Sequence, residues 1–209
     1  MWGLRWWHKF YGLMKLRQSE FNAFEYVILD LELTGLDAQN DEIVSVAWLV
    51  IERGKVHLDS SEYYINKEVQ ALSQSPIYHG IDEQMVEQGE RLSQILTRLG
   101  AVLEGKILVC HNAQLDWAFL KQASKCRGLT LSPLAVLDTM AIEKRRLSAR
   151  TEPLNSDSLT LQACRIRYHL PEYGAHNALT DALATAELLL AQASAISVGK
   201  RLKLGQLLQ

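Results

Sequence analysis

Apolar residues gather into three short runs before residue 66. Residues 24–31 (FEYVILDL) and 42–51 (EIVSVAWLVI) are nearly unbroken, and an Arg53-Gly54 turn leads into a third extended stretch ending near Ile65. Runs this short, rich in β-branched and aromatic residues and closed by turn signals, read as strands, here three in succession and mostly antiparallel. The periodicity then changes. After a loop through Pro76, residues 82–103 place Leu92, Ile95, Leu96, Leu99 and Leu103 on one stripe at helical spacing, and Gly105 ends that amphipathic helix. Residues 106–110 (KILVC) read as a buried strand, Asn112 as the cap of a helix over 113–126 that stops at Gly128, and residues 135–137 as a short strand. Asp138 caps a helix through Arg146, a polar loop spans 147–157, a short helix covers 159–164, and a last long helix runs from an Asn177 cap to about Ala195. Three strands followed by alternating helices and strands predict an α/β fold, a mixed five-stranded sheet flanked by helices.

Composition adds bounds. The 209 residues, 48% of them apolar, suffice for one domain with a core of ordinary size. The chain divides into an extension over 1–22, a main domain over 23–195 and a tail over 196–209 that reads as a docking peptide or a frayed terminus. A net charge of −2 provides no global basic field, so nucleic acid would be held by a local patch and by metal. Cys110, Cys126 and Cys164 are odd in number and lack CxxC spacing, which predicts free thiols and a reducing cytoplasm. Residues 1–17 (MWGLRWWHKFYGLMKLR) contain no long apolar run and no cleavage site, so they read as neither a signal peptide nor a membrane span. Packing of their tryptophans on the domain competes there with a membrane-surface or partner-binding helix.

The chemistry lies in a few acids. Side chains alternate along a strand, so Tyr26, Ile28, Asp30 and Glu32 share one face of the first strand, and Val27, Leu29 and Leu31 the other. Taken alone, an acid pair of this spacing equally fits a solvated strand end. Asp116 falls on the stripe of Ala113, Leu120 and Ala123, which turns it inward near a helix start; a first-turn acid that stabilises the helix dipole is the alternative. Asp181 is the first charge in a helix apolar nearly all round, on the side of Ala184 and Leu188, so it is expected to be buried and to need a partner. His176 precedes the Asn177 cap in a loop, where an imidazole can take up a proton near neutral pH. Four carboxylates drawn from three separate elements are hard to bury together unless divalent metal neutralises them, which points to phosphodiester hydrolysis.

Three segments carry a family resemblance. LDLELTGLDAQNDEIVSVAWLVI, HNAQLDWAFL and HNALTDALATAELLL resemble, in order and spacing, the three motifs of the DEDDh 3′-to-5′ exonucleases, the group that contains the proofreading epsilon subunit of bacterial DNA polymerase III. The likeness spans residues 26–190, and IYHGI at 77–81 is similar to a segment these enzymes carry between the first two motifs. It implies a ribonuclease H-like sheet. Asp30 and Glu32 match the first-motif acids, Asp116 the second and Asp181 the third, together implying two Mg²⁺ or Mn²⁺ ions, about 3.5–4 Å apart in such sites. His176 matches the general base, and nucleoside 5′-monophosphates are the implied products. Leu33 stands where many members have threonine and Leu115 where phenylalanine is usual, departures that bear on substrate preference.

Around these residues, Leu33, Thr34, Gly35, Leu36, Asn112 and Trp117 are expected to contact substrate, with Tyr78 as a further stacking candidate and Gly35 allowing close backbone approach. Lys121, Lys125, Arg127, Lys144 to Arg146, Arg150, Arg165 and Arg167 are candidate phosphate contacts. The expected substrate is single-stranded nucleic acid, DNA ahead of RNA, in proofreading or repair, with a polymerase or another protein as partner. Oligoribonucleotide and transfer-RNA trimming enzymes share these motifs and form the first alternative. A non-catalytic scaffold that binds nucleic acid or a polymerase is the second, and retention of all four acids and the histidine argues against it.

Overall fold

The computed structural model describes residues 14–70, 72, 80–148, 156–174 and 176–208. Tyr78, Arg150, residues 1–13 of the aromatic and basic segment, residues 149–155 of the polar loop and residues 77–79 of IYHGI lie outside the described residues.

Strands β1 (Glu25–Leu33), β2 (Ile43–Glu52) and β3 (Lys55–Ile65) form an antiparallel meander, and β4 (Ile107–Cys110) and β5 (Ala135–Asp138) extend it in parallel on the other side of β1. The order is β3-β2-β1-β4-β5, which puts β1 at the centre. The alternation read from β1 governs its packing. Val27, Leu29 and Leu31 pack in one apolar cluster with Leu96 and Leu99 of helix α2 (Leu92–Leu103) and Phe119 and Leu120 of α3 (Ala113–Cys126). Tyr26 and Ile28 pack in a second cluster with Ala186, Leu189 and Ala193 of α6 (Ala178–Ser197). The sheet is therefore covered on both faces, the mixed α/β architecture that the pattern predicts. Helix α6 is long and apolar enough to cross a membrane by length and composition, but its apolar side chains are those that cover β1 and β2.

Four features differ from the sequence pattern. The helix expected over 82–103 is broken into α1 (Glu83–Glu87), capped by the Asp82 side chain, and α2. Between them Glu90 N–H donates to Ile65 O at 2.8 Å and Lys67 N–H to Glu90 O at 3.0 Å, so this segment pairs with the end of β3. Gly89 permits the contact, because a Cβ there would lie 2.4 Å from Ile65 O. At the start of α3, Asn112 occupies the cap position in left-handed conformation (φ 76°) with no side-chain cap bond, and its N–H donates to Asp138 Oδ1 at 3.1 Å. The short helix α5 (Leu161–Arg167) begins after Thr160, whose hydroxyl caps it, and follows a 3₁₀ turn over Ser156–Leu159. Helix α4 (Thr139–Ser148) starts as expected under Asp138, whose Oδ1 also accepts from Met140 and Ala141.

The fourth difference is the tail. Rather than fraying, it folds back: Leu202, Leu204 and Leu207 are buried in the second cluster beside Phe21. Phe21 N–H donates to Leu202 O (2.8 Å), Leu204 N–H to Ser19 O (2.9 Å), and Arg145 reaches the Leu207 and Leu208 carbonyls. The leucines at 202, 204 and 207 are the reason, since burying each removes apolar surface from water.

Two glycine substitutions test this local reading. Gly89→Ala is expected to lower stability by about 2 kcal/mol, through overpacking against the Ile65 carbonyl. Gly100→Ala, inside α2 where the added methyl meets only ordinary contact at 3.4 Å, is expected to raise it by about 0.5–1 kcal/mol. Urea midpoints at unchanged m values check both.

Candidate active site

The site forms where the sheet stops pairing. β4 follows β1 only as far as Ile28 opposite Val109, and beyond that point β1 continues with Asp30 and Glu32 while the other strand turns into α3. Asp30 pairs across β2 with Ala47 and Glu32 with Ser45, which keeps both carboxylates on the α6 face until a register shift after Glu32. The first turn of α6 adds Asp181, and the three residues offer carboxylate oxygens that all lie within 4.8 Å of one another. Asp116, in the first turn of α3 and only 5% exposed, stands outside that tight group but close enough that its charge acts on Asp30. The four acids thus converge from three elements, as their sequence positions predict.

Their protonation shows the cost. Burial, then the charges of Asp116, Asp181 and Glu32, hold the Asp30 carboxyl well above the usual carboxylate range. Glu32 is pushed up to about 7 by burial and by Asp181. Asp116 is pushed up to about 8 by burial, against a hydrogen bond from the Cys110 thiol that lowers it. Asp181 is raised by burial and lowered again by the backbone N–H groups of His176 and Asn177. No ion pair among the described residues brings a lysine or arginine to any of the four. Carboxylates this close together, one buried and three half-buried, favour holding protons when no cation is paired to them, and an all-oxygen donor set suits a hard divalent ion. The residues present fit such an ion.

His176 stands at the rim, exposed, in left-handed conformation (φ 67°), and its N–H donates to Asp181 Oδ2 at 3.0 Å. Asp181 therefore both faces the cluster and ties down the histidine backbone. Asn177 caps α6 by accepting from Thr180 N–H at 3.1 Å. Asp30, His176 and Asp181 open on a cavity of about 350 Å³ whose far wall is α5.

The expected substrate residues occupy two places. Thr34 is pinned to Glu42, donating its N–H to Glu42 O and accepting Glu42 N–H on its hydroxyl. Leu36 is 79% exposed, and Leu33 is half-buried against the first apolar cluster, as is Leu115. What approaches Gly35 closely is the Asp41 carboxylate, 2.4 Å from where a Cβ would sit, so the need for glycine is met within the protein. Asn112 and Trp117 line a separate groove of about 540 Å³ together with Lys144. The arginines expected at phosphates are mostly committed elsewhere: Arg127 to Glu68, Arg145 to the tail, Arg146 to Glu143 and the Tyr168 ring, Arg167 to Glu143, and Arg165 is buried. Surface runs in the sequence conceal such partners, which are brought in by the fold.

His111 was assigned no role from sequence, although it opens the second motif. It lies behind Asp30 in the same cavity, with Nδ1 2.8 Å from Thr139 Oγ1 and Nε2 2.9 Å from Leu159 O. A carbonyl only accepts, so Nε2 carries the proton, and burial lowers the pKa of the ring. A histidine directly after a buried strand was the available signal.

Residues 27–189 match the family described as Exonuclease (RNase_T). A DNA polymerase III PolC-type protein of Caldanaerobacter subterraneus is 32% identical over 167 residues, covering 79% of this chain and 11% of that protein. A DNA polymerase III subunit epsilon-like protein of Rhodobacter capsulatus is also 32% identical, over 86% of this chain and 25% of its own length. The chain thus spans a quarter or less of these curated relatives. Among solved structures, cell-death related nuclease 4 superposes with a TM-score of 0.69 at 20% identity over 85% of this chain and 65% of that one. E. coli exonuclease I in complex with a dT13 oligonucleotide gives 0.68 at 15% identity over 80% of this chain and 40% of that one. These neighbours show the ribonuclease H-like fold.

The electrostatics predict a pH dependence of stability. Because the folded pKa values of Asp30, Glu32 and Asp116 are raised, their stabilisation is complete below the ordinary carboxylate range and is lost as pH rises above it, through about 7 for Glu32 and about 8 for Asp116. The metal-free protein should therefore melt at lower temperature at pH 8 than at pH 5.5. Added Mg²⁺ or Mn²⁺ should raise Tm more at pH 8. Calorimetry at both pH values with and without cation checks this, and a cation effect as large at pH 5.5 would count against it.

Proposed function

From the premise that this chain belongs to the Exonuclease (RNase_T) family, we propose that it is a metal-dependent 3′-to-5′ exonuclease that releases nucleoside 5′-monophosphates from single-stranded DNA ends. The observation that carries the reading is the convergence of Asp30, Glu32, Asp181 and the buried Asp116 with no lysine or arginine ion-paired to them among the described residues, and His176 at their edge. The exonuclease unit is assigned to residues 23–195, and the tail over 196–209 to its support, through Leu202, Leu204 and Leu207 packed on it.

The acids are assigned to Mg²⁺ or Mn²⁺, two ions in all, which when bound neutralise charge on the attacking and leaving oxygens. Asp30 feels the charge of all three others, and Glu32 and Asp181 are the two that offer oxygens within 4.8 Å of its own. His176 takes the proton of the attacking water on its imidazole, while its own N–H, bonded to Asp181, fixes where the ring stands. The cavity beside His176 and the loop at Leu33, Thr34, Gly35 and Leu36 flank the cluster, and the loop is assigned to the terminal nucleotide. Trp117 and Asn112, with Lys144 on the same groove, are assigned to the strand further on, where an aromatic face and a cation suit base and phosphate. The names of the relatives favour DNA and a setting in proofreading or repair beside a polymerase. Free Cys110, Cys126 and Cys164 agree with a reducing cytoplasm.

Digestion of 5′-labelled single-stranded DNA and a matched RNA with Mg²⁺ or Mn²⁺ tests the reading. A descending ladder on DNA that vanishes with chelator and in Asp30→Asn is the expected result, and a ladder on RNA alone overturns the DNA assignment. Asp30→Asn, Glu32→Gln, Asp116→Asn and Asp181→Asn should each abolish turnover while the fold persists, because each relieves repulsion in the group. His176→Ala should lower kcat by roughly 10² to 10⁴ and spare cation affinity. Loss of cation affinity in that variant would make His176 a ligand rather than the base.

A further inference from the structure

Arg165 is only 4% exposed and carries a permanent charge, yet it touches none of the four site acids. A buried guanidinium is tolerated where its donors are matched. Here Nη1 donates to Ala184 O at 2.6 Å, and Nη2 donates to Pro171 O and to Glu187 Oε2, both at 2.7 Å. The Tyr173 ring lies against the guanidinium, 4.7 Å from its centre, and the Tyr173 hydroxyl donates to the other Glu187 oxygen at 2.9 Å. Glu187 thus divides its carboxylate between an arginine of α5 and a tyrosine of the segment that leads to His176. Helix α5, the segment after it and helix α6 meet at this one group.

The position of that segment matters because it has no regular structure of its own. Residues 170–174 lie between α5 and α6 without helix or strand; Leu170 N–H donates to Arg165 O at 3.2 Å, and beyond it the bonds to the Arg165 and Glu187 side chains hold the segment. Its far end is held by the bond from His176 N–H to Asp181, at a histidine in left-handed conformation (φ 67°), a backbone state that non-glycine residues adopt mainly where their surroundings impose it. One anchor alone would leave a pivot; Pro171 and Tyr173 supply the second. Arg165, Tyr173, His176, Asp181 and Asp30 all border the same cavity, so two members of the anchoring group share it with the acids and the histidine.

We infer that Arg165, Glu187 and Tyr173 form a clamp that positions His176 beside the acidic cluster, and that Arg165 serves as a positioning residue rather than a phosphate contact. The inference rests on the reading of His176 as the base. Its action runs through the loop, and none of the three residues is required to touch substrate.

Tyr173→Phe removes the one hydroxyl that reaches Glu187 and keeps the ring over Arg165. On a single-stranded 3′ end it should lower kcat by about twofold to tenfold, the range of one hydrogen bond, with KM and cation dependence unchanged. Hydrogen exchange of the His176 amide in the full chain should become faster. In a His176→Ala background the same substitution should produce no further loss of kcat, because the clamp acts only through that residue. Glu187→Gln serves as the second variant and should give the same signature. An equal loss in the His176→Ala background, a rise in KM alone, or a lower Tm with unchanged kcat and exchange would each overturn the clamp. If His176→Ala itself keeps the wild-type rate, the base assignment fails, while the exchange measurement still decides whether the clamp holds the loop.

Discussion

Negative charge gathered at the end of the central strand, with no lysine or arginine ion-paired to it among the described residues, is the constraint on which the rest of the site depends. Asp30 and Glu32 leave β1 just past the last β4 pairing, and the first turns of α3 and α6 bring Asp116 and Asp181 to the same corner. Two of these supports are densely packed: β1 is covered on both faces, and α6 lies across β1 and β2. A site on such elements cannot relax by swinging its carboxylates apart into water. It holds protons or it holds cations, and the raised positions of Asp30, Glu32 and Asp116 express that choice in the protein without metal.

Against this fixed core, the histidine side of the site is built differently. His176 sits on irregular chain at the rim, and it is placed by a bond to Asp181 at one end and by the Arg165, Glu187 and Tyr173 group at the other. A division of this kind suits a hydrolase in which the charged group must be preorganised while the proton acceptor must remain open to water and substrate.

Much of this was legible in the sequence because it depends on local periods. Alternation along residues 26–32 correctly assigned Tyr26, Ile28, Asp30 and Glu32 to one face, and a period of 3.6 turned Asp116 inward. What escaped was set by contacts between distant segments. The break at Gly89 exists because residues 89–90 pair with the end of β3, and Asn112 is left-handed because its N–H is taken by Asp138 from β5. The tail leucines at 202, 204 and 207 are buried because Phe21 and α6 leave a surface for them. Arg165 reads in sequence as one more basic residue near a helix end, and only the approach of Glu187 and Pro171 makes it an internal fixture.

The central claim is that the four acids are a two-cation site. Electron paramagnetic resonance of the full chain titrated with Mn²⁺ in the presence of deoxythymidine 5′-monophosphate addresses it directly. Two exchange-coupled ions per chain, as expected at a spacing of about 3.5–4 Å, and loss of the coupled signal in Asp30→Asn are the predicted result. A single uncoupled ion, or binding that Asp30→Asn leaves intact, would contradict it.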